Sequence, residues 1–467
     1  MTLPRAPRCS AWLGALLLLA LAGCAPARLA VDAAPRQAWV QAASDGRWVV
    51  RALTESGSCP VLRWQSGEQA MQQAMQLRAA PAVIAPRPGS AQAEAKPSVF
   101  ALRSCEASLP AGAQGLQVGG VVVPAPAAEI RRIVLIADTG CRLKQSEQAF
   151  QDCNDPARWP FAAIAASAAA RKPDLVIHLG DLHYRESPCP AGRPGCAGSP
   201  WGYGDDAWEA DFFRPAAPLL AAAPWLFVRG NHESCGRAGA GWMRMLDAHP
   251  WTPSRACQDP AGDAEGDFSP PHAVPLTADS QFIVFDSAFA AGKPYRGDDP
   301  VARRYAAQLL QVQQLAAAKP HSLFLNHHPV LGFGGSASGA PKPGNAGLQS
   351  VMAAAHPARL FADGIDLVLS GHVHLFEALG FSSGHPGAVV LGNGGSAMEG
   401  FVDEAAALRA QPAPGAVVQS FASHPGFGFA TLDRDGQAWQ LSAWSVAGQL
   451  LRRCTLQGPT ITCEAAP

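Results

Sequence analysis

The chain has 467 residues, 48% of them hydrophobic and 16% charged, more than one ordinary compact core holds, so two or three structural units are expected. Its 36 Lys+Arg offset 37 Asp+Glu to a formal net charge of -1, and no long run of one sign occurs. That balance argues against a nucleic acid or an anionic membrane surface as the main partner, and no nucleic acid partner is expected.

The chain opens with MTLPRAPRCSAWLGALLLLALAGC, which sets Arg5 and Arg8 ahead of an apolar stretch from Ala11 to Ala22. This is the pattern of a secretory signal over residues 1–23, too short and wrongly flanked for a spanning helix. The stretch LAGC, Leu21 to Cys24, resembles the bacterial lipobox, which implies a lipidated Cys24 as the first residue of the mature protein. With Ala25 behind it, the resemblance implies an outer-membrane lipoprotein of the bacterial envelope, tethered by its lipid and facing the periplasm or the exterior. Setting Cys9 and Cys24 aside from the 12 cysteines leaves an even set, which in an exported chain reads as disulfide-bonded. Spacing does not settle the connectivity; nearest-neighbour pairing gives Cys59–Cys105, Cys141–Cys153, Cys189–Cys196, Cys235–Cys257 and Cys454–Cys463. No CxxC knuckle occurs, so a cysteine metal site is not expected.

Next come short alternating segments, RWVVRAL, CPVLRW, VFALRSC and LQVGGVVV, separated by Gly, Ser and Pro. They predict a small β-rich domain over 32–124, a sandwich interrupted by a mobile loop at 79–98, with 123–128 as linker. From 130 to 467 the pattern changes. Compact apolar strands, RIVLIAD, DLVIHLGD, WLFVRGNHE, QFIVFD, SLFLNHHP and DLVLSGHVH, alternate with Ala/Leu-rich helical stretches such as PFAAIAASAAA and ARRYAAQLLQVQQLAAA. Strands buried on both faces read this way, and βαβαβ units with helices flanking the sheets follow. The tail after GFGFATLD returns to period two, with RDG and VAG turns, and adds strands to the same domain.

These apolar strands end in polar groups: Asp138 in ADTG, Asp181 in GDLHY, Asn231 and His232 in GNHE, His327 and His328 in NHHP, His372 and His374 in GHVH. Taken singly, each is an ordinary turn or surface loop. In open α/β sheets, however, the loops leaving strand C-termini share one edge and form the ligand crevice. Oxygen and nitrogen donors without thiolate suit Mn, Fe or Zn, and two aspartates with three or four histidines exceed the needs of one tetrahedral ion. Two metals are implied.

As an ordered set, DTG, GDLHY, GNHE, LFLNHHP and GHVH resemble the motifs of the calcineurin-like metallophosphoesterases. The tyrosine, together with Gly140 where most members have a histidine, resembles the purple acid phosphatase branch. The resemblance covers Arg131 to His374. It implies an α/β fold, a two-sheet β-sandwich flanked by helices, and an enzyme hydrolysing small-molecule phosphate monoesters by attack of a metal-bound hydroxide. Position by position, it implies Asp138, Tyr184 and His374 on metal one, Asn231, His327 and His372 on metal two, and Asp181 bridging. The implied ions are Fe(III) plus a divalent Fe, Zn or Mn. His232 falls where the family's histidine meets the phosphate and leaving group, with Glu233 expected to orient it.

Asp181 and Tyr184, three apart, can converge in a helical-type turn, whereas His183 points elsewhere. His183 and His178 read as packing or surface residues. His327, the first histidine of HHP, is preferred to His328. Arg142 and Lys144 stand open between a phosphate contact and a solvated face. Two rival readings are carried, a phosphodiesterase or nucleotide hydrolase of the same superfamily and a non-catalytic metal-binding surface lipoprotein. The motifs do not separate monoesterase from diesterase. A structural metal site, by contrast, has no use for a non-ligating histidine in its mouth.

Overall fold

The computed structural model describes residues 33–87, 95–436 and 438–464, so the expected signal peptide and Cys24 lie outside the described residues. Two large sheets carry the fold. In the eleven-stranded sheet, Arg132–Ile136, Leu175–His178 and Trp225–Phe227 run parallel. In the seven-stranded sheet, Ser280–Val284, His321–Leu325, Ile365–Ser370 and Gly387–Leu391 do the same.

Side chains alternate across each strand, and both faces find apolar partners. Ile133, Leu135, Ile177 and Leu226 meet Phe282, Val284, Leu323, Leu325 and Leu369 in a layer between the sheets. Val134, Ile136, Val176, Trp225 and Phe227 face the other way, into a core shared with residues of the helices Phe161–Ala169, Arg214–Leu220 and Gly239–Met245. On the far face of the second sheet, Ile283, Phe324 and Val368 share a core with the helices Pro300–Ala316 and Ala346–Ala355. The first of these helices shows why the sequence forms it. Asp299 caps it by accepting from the Val301 amide, Pro300 occupies the first turn, and Tyr305, Leu309, Val312 and Ala316 put one face into the core. The result is the α/β core with flanking helices that the strand pattern predicts, in the two-sheet form that the family resemblance implies.

The segment 32–124 has a small core of its own, with Val40, Val50, Leu62, Trp64, Leu116 and Val118. It also shares the large sheet. Gln37–Ala42 lies parallel to Trp225–Phe227, with Gln41 opposite Trp225, and Trp48–Thr54 and Arg103–Ser108 continue the same sheet outward. Buried Arg51 ties the two regions together by donating to the carbonyls of Met245 at 2.9 Å and Asp247 at 3.0 Å. Within the expected loop at 79–98, Ala82–Ile84 pairs with Ser98–Phe100. At the other end, Gly428–Asp435 pairs with Arg132–Ile136 and leads the C-terminal strands into the sheet. The five disulfides are those of nearest-neighbour pairing. Among the described residues, no helix is long and apolar enough to cross a membrane.

Candidate metal centre

Loops leaving the C-terminal ends of parallel strands in both sheets bring the polar residues to one place. Asp138, Asp181 and His372 have φ of 55°, 56° and 70°, a left-handed conformation that non-glycine side chains rarely adopt. Such strain persists only where neighbours hold it. Here the Asp138 amide donates to Gly180 O at 3.0 Å, the Thr139 amide to Asp181 O at 3.1 Å, and the His372 amide to Asp138 Oδ2 at 2.8 Å.

Around the Tyr184 hydroxyl lie Asp138 Oδ1 at 2.7 Å, His374 Nε2 at 2.9 Å and Asp181 Oδ2 at 3.0 Å. One phenolic hydrogen cannot serve three such neighbours, whereas a cation among them satisfies all. Burial, and then the charges of Asp138 and Asp181, push the phenol well above its ordinary range, so only a cation beside it restores a phenolate. The His374 Nδ1 faces the Ala397 carbonyl at 2.6 Å, which directs Nε2 to the cluster. Gly140 has no room for a side chain: a Cβ there would lie 2.8 Å from both Leu182 O and Tyr184 N. The tyrosine loop closes over the position that a histidine would otherwise need.

A second donor set adjoins the first. His327 Nε2 is 3.1 Å from Asp181 Oδ2 and 3.1 Å from Asn231 Oδ1, and His372 Nδ1 is 3.0 Å from the same Asn231 oxygen. Ligand atoms of Asp181, His327 and His372 all lie within 4.8 Å of one another. Asp181 Oδ2 therefore touches both sets. The Leu179 carbonyl, 2.8 Å from His327 Nδ1, orients that ring. Fully buried Asp138 and Asp181 call for positive charge, and the described cysteines are all in disulfides, so the donors are hard oxygens and imidazoles that fit Fe, Zn or Mn.

Three neighbouring histidines make other contacts. His328 Nδ1 faces Ser287 Oγ at 3.3 Å, and its ring packs on His372. His183 is buried between the rings of Tyr203 and Trp208, each 5.5 Å away, and His178 Nε2 bonds the Thr139 hydroxyl at 3.0 Å. Arg142 and Lys144 are mostly sheltered and paired: Arg142 reaches Glu147 at 2.6 Å and Glu399 at 3.3 Å, while Lys144 reaches Glu147 at 2.8 Å.

The ring of His232 lies 3.9 Å from that of Tyr184, with Nε2 3.9 Å from Asp181 Oδ2. Its orienting carboxylate is not the expected one. Glu233 turns away from the ring, and its two oxygens accept the amides of Asp181, Leu182, His183 and Gly230 at 2.9–3.0 Å. That correction has a local cause, because the short helical turn Asn231–Glu233 points successive side chains in different directions. Glu186 stands at His232 Nδ1 instead, at 3.0 Å, and is itself held by Arg237 Nε at 2.9 Å and the Tyr203 hydroxyl at 3.0 Å. Burial acts to raise the Glu186 carboxyl, but Arg237 and His232 hold it well below the usual carboxylate range. Glu186 sits two residues past Tyr184 in GDLHYRE, and that proximity was the available signal.

Comparison with curated proteins by sequence gives no significant match. Among solved structures, the purple acid phosphatase PPD1 from yellow lupin (Lupinus luteus) seeds aligns with a TM-score of 0.55 and 15% identity, over 91% of this chain and 74% of that one. PhoD aligns with a TM-score of 0.51 and 11% identity, over 93% of each chain. At such identities the likeness is one of fold. The family described as calcineurin-like phosphoesterase matches residues 131–376, more than half of the chain and all of the loops from Asp138 to His374. By that match, the protein belongs to the calcineurin-like phosphoesterases and is a metal-dependent hydrolase of phosphoric esters.

Proposed function

We propose that the protein is a phosphomonoesterase of the purple acid phosphatase type, acting on small-molecule phosphate esters in a bacterial envelope. Asp138, Tyr184 and His374 would hold Fe(III), and Asn231, His327 and His372 a divalent Fe, Zn or Mn, with Asp181 shared. The observation that carries this reading is the Tyr184 hydroxyl within 3.0 Å of Asp138, Asp181 and His374. A phenolate is a hard anionic donor suited to a trivalent ion. When bound, the cations supply Lewis acidity to the phosphoryl oxygens and a water acidified into a nucleophile near neutral pH.

The chain's own groups do the rest. Glu186 holds the Nδ1 side of His232, leaving Nε2 toward Asp181 and the cluster. From there, His232 hydrogen-bonds a phosphoryl oxygen or passes a proton to the departing alkoxide, a role worth about 10²-fold to 10⁴-fold. Glu233 holds the Asp181 loop by three amide hydrogen bonds and its own loop by a fourth, from Gly230, which keeps the shared carboxylate in place. The LAGC stretch supports tethering through acylated Cys24 at the outer membrane.

Purified protein assayed with p-nitrophenyl phosphate and its bis ester, alongside metal analysis and a visible spectrum, tests the reading. Preference for the monoester, two metals per chain including iron, and a purple to pink band are expected. Preference for the bis ester would move the protein to the diesterases, and a colourless iron-loaded protein would remove the phenolate.

A further inference from the structure

Successive amides of the loop GDLHYRE end on two buried carboxylates. Those of Asp181, Leu182 and His183 donate to Glu233 at 2.9–3.0 Å. The next, those of Tyr184 and Arg185, donate to Asp211 Oδ2 at 2.7 Å and 3.0 Å. The division falls between the loop's candidate ligands. Glu233 holds the end that carries Asp181, and Asp211 holds the end that carries Tyr184.

Asp211 lies outside every motif, in the π-helical turn Glu209–Phe213 that joins the helices Asp205–Trp208 and Arg214–Leu220. Such wide turns re-aim side chains and are frequent at functional sites. Here Phe212 and Phe213 pack into the core, while the fully buried Asp211 reaches the loops. Its Oδ1 accepts the Cys141 amide, just past Gly140, at 3.0 Å, and the Arg185 Nε at 2.6 Å. One carboxylate thus joins the loop that supplies Asp138 to the loop that supplies Tyr184. A Cβ on Gly140 would lie 2.9 Å from Asp211 Oδ2, so the carboxylate also fills the space where a side chain at 140 would begin.

A buried carboxylate is costly unless it is paired and hydrogen-bonded, and an apolar residue would pack the turn at less cost. Arg185 supplies the charge. Its guanidinium lies over the Trp159 ring at 4.8 Å, and Trp159 Nε1 donates to the Thr139 carbonyl at 2.9 Å, back in the Asp138 loop. The donors to Asp211 come from the two ligand loops, so the charge is spent on holding them together.

We propose that Asp211 is the positioning residue of metal one, fixing the Tyr184 donor against the Asp138 donor, whereas Glu233 serves the shared Asp181. The inference rests on the iron–phenolate reading given above and deepens it.

The test uses full-length protein, stripped of metal and reloaded with Fe(III) and Zn(II), as wild type, Asp211→Asn, Glu233→Gln and Phe213→Leu. Asparagine keeps the shape of Asp211 but accepts at one oxygen only, so part of the donor set loses its acceptor. Iron affinity should fall about tenfold to a hundredfold and the visible band should weaken, with zinc retained and circular dichroism unchanged. Glu233→Gln should lose both metals. Phe213→Leu loosens packing against Trp39 from the same turn, and it should keep both metals and the band despite a lower unfolding midpoint. If Asp211→Asn does not fold, Asp211→Asn/Arg185→Gln, which removes the buried ion pair as a whole, carries the same expectation. Failure of both to fold makes Asp211 a residue of the fold alone and overturns the proposal. So does unchanged iron and colour in Asp211→Asn, loss of its zinc along with its iron, or equal bleaching in Phe213→Leu. A wild type that is colourless with iron bound defeats the phenolate reading itself, and the positioning role with it, so the wild-type spectrum tells the two failures apart.

Discussion

Tyr184 concentrates the chemistry of the site in one oxygen. Tyr184→Phe keeps the ring that packs on His232 but removes the atom shared with Asp138, Asp181 and His374. It is expected to bleach the visible band and weaken iron retention while leaving the fold intact, as read by absorption, metal analysis and circular dichroism. The two glutamates separate by function. Glu186→Gln removes the charge that stands 3.0 Å from His232 Nδ1, so kcat should fall about tenfold to a hundredfold with metal content and KM little changed. Glu233→Gln instead unsettles the amides of the Asp181 loop, and loss of metal from both positions is expected in the same assays. The GDLHY and GNHE motifs pointed to the candidate ligands. They did not show which carboxylate meets His232, because that depends on how two loops from neighbouring strands pass each other. Glu233 is adjacent in the chain and turned away, while Glu186 is distant in the chain and in contact.

At the scale of elements, the strand His272–Pro275 carries a group that couples stability to pH. Burial, and then the charge of neighbouring His249, depress the His272 imidazole to about 3, while Asp247 acts in the opposite direction. Below its ordinary 6.5, the unfolded chain binds a proton that the folded chain refuses until about pH 3. The stability linked to this group is therefore fully present above pH 6.5 and is lost as the pH falls through that window, by about 1.4 kcal/mol per pH unit. His272→Gln should flatten the dependence, measured by denaturant unfolding at pH 6.5 and 4.5. The elements themselves were well marked in the sequence, since strands apolar on both faces and helices with caps and buried stripes depend on local pattern. The ladder between Ala82–Ile84 and Ser98–Phe100 was not, because three-residue strands flanked by proline and alanine leave no periodic trace.

For the whole molecule, the proposed lipid on Cys24 is tested by Cys24→Ser, which should shift the protein from the membrane to the soluble fraction with turnover of soluble esters unchanged. Fractionation with activity in each fraction checks it. The sequence by itself determined the alternation of apolar strands with helices, the edge that gathers the polar loops and the family, because all of these rest on period, order and spacing along the chain. Only the tertiary structure decided that the N-terminal strands extend the large sheet, that Glu186 and not Glu233 braces His232, and that the chain enters at the edge opposite the metal centre. The reason is common to the three. Gln41 meets Trp225, and His232 meets Glu186, across long stretches of sequence. Hydrogen-bonding edges and buried charges accept many partners, and only packing the whole chain selects one.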